Sequence, residues 1–193
     1  MIWRLSHRAD RRAREIADRH YNRQKIGAPQ FVAPGRCCVL YAEKNNGRAF
    51  WVTSWPFAEY VKHAWGGAWV CSAFRNEGAG VASNMIRDAL ACTRYLLGEP
   101  PCSGMVTFID TDKVEPIKVR GIKTWGRTYT LAGFEPCGKT KGGLLAFRIP
   151  VERIPAAIPP LVEFKNWPLL VRTLQRHQTG KHSQSSPTSR SIR

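Results

Sequence analysis

From Ala82 onward, apolar positions recur at spacings of three and four, at Met85, Ile86, Ala89, Leu90, Thr93 and Leu97. This periodicity predicts an amphipathic helix over 82–97, stopped by Gly98 and two prolines. Upstream, CCVLYAEK (37–44) and RAFWVTSW (48–55) are rich in β-branched and aromatic residues and flank Asn45-Asn46-Gly47. Asn and Gly tolerate positive φ, so the stretch predicts an antiparallel hairpin. WVCSAF (69–74), MVTFID (105–110) and LLAFRIP (144–150) read as further strands, and the start of the chain to Leu5 as a short one. A helix is predicted from Ala9 to His20, with Ala13, Ile16, Ala17 and His20 on one face, and a short helix in TYTLAGFE, stopped at Gly133. PFAEYVKHAWGGA (56–68) is aromatic and ambiguous, compatible with a helical turn ending at Gly66 and Gly67.

Strands and helices in this order predict one α/β domain over 1–150, a central mixed, mostly antiparallel sheet flanked by helices. Residues 151–170 form an extension expected to pack on that domain. After Glu163 no acidic residue occurs, and the Ser-rich, basic stretch 171–193 is too polar to bury a core, which predicts a disordered tail. No segment has the apolar length of a membrane span or a secretory signal, so a cytoplasmic protein without a membrane partner is expected.

Charge changes the picture most. Thirty Lys and Arg face 14 Asp and Glu, a formal charge of +16, and such a surface attracts polyanions, with nucleic acid as the leading expectation, DNA ahead of RNA. The six cysteines include no C-x-x-C pair, so local spacing builds neither a zinc ribbon nor a thioredoxin-type redox site, and with His20 and His63 they give no metal-ligand spacing, so no metal-site residues are assigned.

The junction FRNEGAGVAS (74–83) carries the clearest chemistry. A strand ending in a glycine-containing turn that opens a helix presents unpaired N–H groups and a positive dipole to an anion. Arg75, Asn76, Gly78, Ala79, Gly80, Val81 and Ser83 are the candidate phosphate-binding residues, with Ser83 equally able to cap the helix locally. A plain glycine-rich connection reads the same way by this motif alone.

RNEGAG also has the R/Q-x-x-G-x-G/A spacing that resembles the pyrophosphate loop of the GNAT acyltransferase superfamily, and YTLAGF (129–134) resembles its Y-x-x-x-G-F segment. The order of elements is similar over about residues 1–150. RHY (19–21), FRNEG (74–78) and Ser83 further resemble the Mom-type DNA-modification proteins of bacteriophages, a divergent GNAT-like branch that adds a carbamoylmethyl group to adenine. The resemblance implies a GNAT-like acyltransferase fold, an acyl-CoA donor such as acetyl-CoA or a related acyl donor, and transfer of a small acyl-type group to an amine, on a DNA base in the Mom-type reading.

It also implies Tyr129 as general acid, where a buried core tyrosine is the competing account, and His20 and Tyr21 as acceptor-site residues. Asp110 is a candidate base, with His20 and Glu59 weaker ones, although Asp110-Thr111-Asp112 is also turn chemistry. Trp55, Tyr60, Lys62, His63 and Trp65 are candidates to stack on an unpaired base, or to make core. Lys123 and Arg127, among Lys113, Lys118, Arg120, Lys139 and Lys141, form a basic concentration suited to phosphates or to solvent. Two rival functions stand beside DNA modification: an acetyl-CoA dependent N-acetyltransferase of a small molecule or protein, and a non-catalytic nucleic-acid-binding protein.

Overall fold

The computed structural model describes residues 2–56, 63–163 and 166–172. Seven strands make one mixed sheet, in the spatial order β1 (Arg4–Leu5), β2 (Arg36–Lys44), β3 (Gly47–Trp55), β4 (Trp69–Glu77), β5 (Met105–Ile109), β9 (Leu145–Ile149), β8 (Glu135–Lys139). Every pairing is antiparallel except β4 with β5. Between β5 and the last two strands lie a separate two-stranded hairpin, β6 (Ile117–Val119) and β7 (Ile122–Thr124), and a short helix, α3 (Arg127–Leu131).

The alternation of side chains along β2 and β3 sorts the core into two layers. Val39, Tyr41, Phe50 and Val52 face α1 (Arg11–Ala17) through its Ala13, Ile16 and Ala17. Leu40, Ala42, Ala49 and Trp51 lie in the other cluster, with Met85, Ile86, Ala89 and Leu90 of α2 (Ala82–Leu97). α2 begins and ends where its periodicity predicts.

Elsewhere the boundaries differ for local reasons. α1 is shorter than expected: Asp10 caps it by accepting the Arg12 N–H at 3.0 Å, and Asp18 ends it by turning to Arg23 and the Gly27 N–H. His20 therefore lies beyond the helix. The hairpin turn consists of Asn45 and Asn46, at φ 51° and 62°, while Gly47 already pairs with Lys44. β4 runs on through Glu77 because β3 continues to pair with it, so Arg75 and Asn76 are strand residues. β6, β7 and β8 have no expectation in the sequence pattern, being short and rich in Lys, Gly or Pro.

The extension packs along β1. Leu5 N–H donates to the Leu161 carbonyl and Leu161 N–H to that of Trp3, Asn166 Nδ2 donates to the Leu5 carbonyl, and Arg12 pairs with Glu163 at 2.8 Å. Residues 167–172 are helical and Leu170 enters the core, so the expected tail starts later than 171; residues 173–193 fall outside the described set. Among the described residues no helix is long and apolar enough to cross a membrane.

Candidate active site

The site begins where two parallel strands part. β4 and β5 are in register at Trp69 with Met105, Val70 with Val106 and Cys71 with Thr107, and no further. One extra residue in β4 is the cause: Val52 pairs with Ala73 but Thr53 with Cys71, leaving Ser72 as a bulge. A bulge bends its strand and increases its twist, here turning β4 away from β5. Polar side chains take over the freed backbone groups. Thr107 Oγ1 donates to the Cys71 carbonyl at 3.1 Å and Asn22 Nδ2 to that of Ser72 at 2.6 Å. The divergence opens a cleft of about 280 Å³ lined by Tyr21, Cys71, Phe74, Thr107 and Tyr129, among others.

At the far end of β4 the chain turns through Gly78, at φ 88°, into α2. Asn76 staples the turn: its Oδ1 accepts the Ala79 N–H at 2.9 Å and its Nδ2 donates to the Gly80 carbonyl at 2.7 Å. Ala79 is therefore not an anion donor, which corrects the sequence expectation; it is buried and its amide is already used. Arg75 is a second correction. It lies opposite Phe50, on the α1 face, where its guanidinium meets Glu77 at 2.7 Å and the Arg19 carbonyl at 2.9 Å. The two-residue period of the strand puts Asn76 on the loop side and Arg75 on the other.

What remains for an anion is the start of α2. Val81 caps it without a side-chain hydrogen bond and no acidic residue stands in its first turn, so the leading amides and the dipole are uncompensated. Ser83 sits in that turn. Val81 is 65 % exposed, marking the open side of the loop.

α3 delivers Tyr129 to the opposite wall. The phenol oxygen lies 3.7 Å from Cys71 Sγ, and the ring meets Phe74 and Phe134 edge-on. Burial, with the Cys71 thiol beside it, holds the phenol well above its ordinary pKa, and burial pushes the Cys71 thiol up to about 12. Both keep their protons at neutral pH. Tyr21 enters from the other face, donating to the Phe108 carbonyl at 3.1 Å and stacking on His20 with ring centroids 4.5 Å apart. His20 is buried, which lowers its pKa, and its Nδ1 lies 2.5 Å from Asn22 Oδ1. It is a neutral ring engaged by its neighbours, suited to positioning Tyr21 and Asn22.

A second cleft of about 500 Å³ opens on the α1 face and shares Tyr21, Cys71, Ser72 and Phe108 with the first. The two hollows thus meet at the bulge. Neither His63 nor Trp65 lines either cleft, but both gather on Phe108, which lines the two, at 5.0 and 5.9 Å between ring centroids. Trp55 does not. It packs on Trp69 and under the Arg36 guanidinium, half-buried against the core. Tyr60, Lys62 and Glu59 lie outside the described residues. Asp110 borders the second cleft, but one oxygen accepts the Asp112 N–H and the other pairs with Lys113 at 3.3 Å, the geometry of a turn. Lys123 is exposed on β7 and Arg127 at the start of α3.

Among the described residues no group of three His, Cys, Asp or Glu side chains is placed to hold a metal ion, and all six cysteines are free. No protein-family model, curated protein or solved structure matches the chain.

Sequence reading misses Cys71, Ser72 and Thr107, because nothing in an apolar strand run marks a bulge. Asn22 had a signal in its place directly after His20 and Tyr21.

Proposed function

We propose that the protein is a GNAT-like transferase that moves a small acyl-type group from a pantetheine thioester, acyl-CoA or a related donor, to an amine, with an adenine of DNA as the acceptor by analogy with the Mom-type branch. One observation carries the reading. The strand that parts from its parallel neighbour at Cys71 and Thr107 ends, at its other extremity, in the uncapped start of α2. A long donor with a phosphate end and a reactive thioester end fits that combination of an anion site and a slot between strands. The strand order, with its single parallel step between β4 and β5, supports the same reading.

In this assignment the amides from Gly80 to Ser83 hold the pyrophosphate, and the edge of β4 left free beyond Ser72 aligns the pantetheine arm. The donor supplies an acyl carbon activated by sulfur. As the acceptor nitrogen bonds to that carbon and the carbon–sulfur bond breaks, Tyr129 hands its phenolic proton to the departing thiolate, and the proton shed by the nitrogen passes to water, from which the phenolate is reprotonated. A phenol kept protonated by burial is a suitable acid for that step. Tyr21, held by His20 and Phe108, orients the acceptor where the two clefts meet, and Trp65, His63 and Phe108 offer aromatic faces to an extruded base. The formal charge of +16 supports a polyanionic acceptor.

The test is nucleoside mass spectrometry on digested DNA and RNA from cells expressing the wild type or Gly80→Asp. A Cβ at Gly80 would have Met85 Sδ as its nearest neighbour, at 3.4 Å, so the loop admits a side chain there, and the variant adds a carboxylate next to the start of α2. A modified nucleoside with the wild type alone is the expected result. Its absence, together with thiol release from acetyl-CoA, assigns an N-acetyltransferase of another acceptor; absence of both leaves a nucleic-acid-binding protein.

A further inference from the structure

The β6–β7 hairpin has no place in the chemistry above, yet it grows from the site. Val114, just before it, and Thr128, just after it, both line the cleft between β4 and β5. Trp125 closes its base by donating Nε1–H to the Val114 carbonyl at 2.8 Å. The ribbon pairs with itself as a separate sheet and turns tightly through Arg120 and Gly121, at φ 49° and 81°. Two positive φ values define the turn type that matches strand twist, although arginine adopts that region at a cost.

Its two faces are sorted in an unusual way. Lys118 stands directly opposite Lys123, whereas Val119 faces Ile122 and Ile117 faces Thr124. Like charges opposed across a ladder repel, and among the described residues no ion pair involves Lys118, Arg120, Lys123 or Arg127. From residue 116 to 134 the chain contains no acidic residue. On the other face Ile122 is 70 % exposed and Ile117 48 %, both large apolar groups facing solvent. A solvated loop needs neither the lysine pair nor the isoleucines.

Resting on the reading of the site as one that acts on a DNA base, we propose that the β6–β7 hairpin is a duplex-binding arm: Lys118, Lys123 and Arg120 engage backbone phosphates while Ile122 enters a groove beside the base to be modified. A two-stranded ribbon has the width of a DNA groove, and apolar side chains there contact base edges and thymine methyls or wedge between steps. Lysine and arginine side chains hydrogen-bond phosphate oxygens and so fix the register of the ribbon on the duplex. The root at Val114 and Thr128 puts the contacted base pairs beside the cleft.

The experiment is fluorescence anisotropy of the full chain with a labelled DNA duplex, across a salt series, for the wild type, Lys118→Glu/Lys123→Glu and Ile122→Ser. The double variant is expected to bind about tenfold or more weakly, with the salt slope reduced by about two. Ile122→Ser is expected to weaken duplex binding several-fold, about threefold or more, at an unchanged slope, because it removes an apolar contact and no charge. Acetyl-CoA affinity and melting temperature should match the wild type in both. Duplex affinity and slope unchanged in the double variant would overturn the arm, as would tighter binding of single-stranded RNA than of duplex. Loss of binding in the variants when the wild type modifies no base would leave the arm standing and remove the catalytic reading; base modification with unaltered duplex binding does the reverse.

Discussion

The Cα of Gly47, at the start of β3, lies against the peptide joining Gly78 to Ala79: a Cβ on Gly47 would stand 2.2 Å from the Gly78 carbonyl carbon and 2.5 Å from the Ala79 nitrogen. Arg48 forms a parallel bridge with Gly78 at the same place. The β2–β3 hairpin thus buttresses the candidate anion loop from behind, with backbone on backbone and no side chain to yield. Gly47→Ala is expected to displace the loop and cost about 1–3 kcal/mol. Urea melts measure the stability, and isothermal titration with acetyl-CoA should show the larger effect, a loss of about tenfold or more in affinity, since 1.4 kcal/mol is a factor of ten.

Asn76 holds the same loop from the front. Asn76→Ala leaves the Ala79 N–H without its side-chain acceptor and frees the Gly80 carbonyl, at a cost of about 1 kcal/mol for a hydrogen bond of this kind. The domain should remain folded by circular dichroism while donor affinity falls about fivefold. Asn76→Asp keeps the acceptor but adds a carboxylate at the anion site, so it should bind donor more weakly than the alanine variant at low salt.

Tyr129→Phe removes one oxygen from a packed aromatic ring and leaves its contacts with Phe74 and Phe134 in place. Under the proposed mechanism kcat falls by about 10²- to 10⁴-fold with little change in the donor KM. Equal kcat in the two proteins removes Tyr129 from the chemistry. Because burial holds its pKa well above the ordinary value, the wild type should show no loss of activity from this group up to about pH 10.

A buried polar cluster under α2 is a stability element apart from the site. Trp51 Nε1 donates to Thr53 Oγ1 at 2.8 Å, and the Thr53 and Thr93 hydroxyls lie 3.1 Å apart, all with no solvent exposure. Thr93→Val keeps the volume but deletes a hydroxyl that serves both Thr53 and Trp51. A loss of about 1–2 kcal/mol is expected in chemical denaturation, with acetyl-CoA binding unchanged.

Acid should weaken the domain in two pH windows. Burial depresses His20, so below its ordinary value of 6.5 the unfolded chain takes up a proton first and stability declines with falling pH. Glu77 is held down to about 2, first by the Arg19 hydrogen bonds and then by Arg75, so its contribution is present above 4.5 and is lost as the pH falls from 4.5 toward 2. Arg19 is 45 % exposed, so solvent screening keeps this contribution to about 1 kcal/mol. Melting temperatures of Glu77→Gln and wild type should differ at pH 7 and converge near pH 2.

The sequence by itself determined the elements whose signal is local. The 3.6-residue period of 82–97, the Asn-rich turn between β2 and β3, the Gly133 stop after α3 and the +16 charge are properties of neighbouring residues or of composition, and each is visible without a fold. So was the placement of a glycine-containing turn between a strand and a long helix. Only the tertiary structure decided which residues form the site. The bulge at Ser72 exists only in the register of β4 against β3; Arg75 and Asn76 part company because β3 extends the strand by its own pairing; Gly47 meets Gly78 across 31 positions of sequence. These are relations among segments far apart in the sequence, and no window of neighbouring residues contains them.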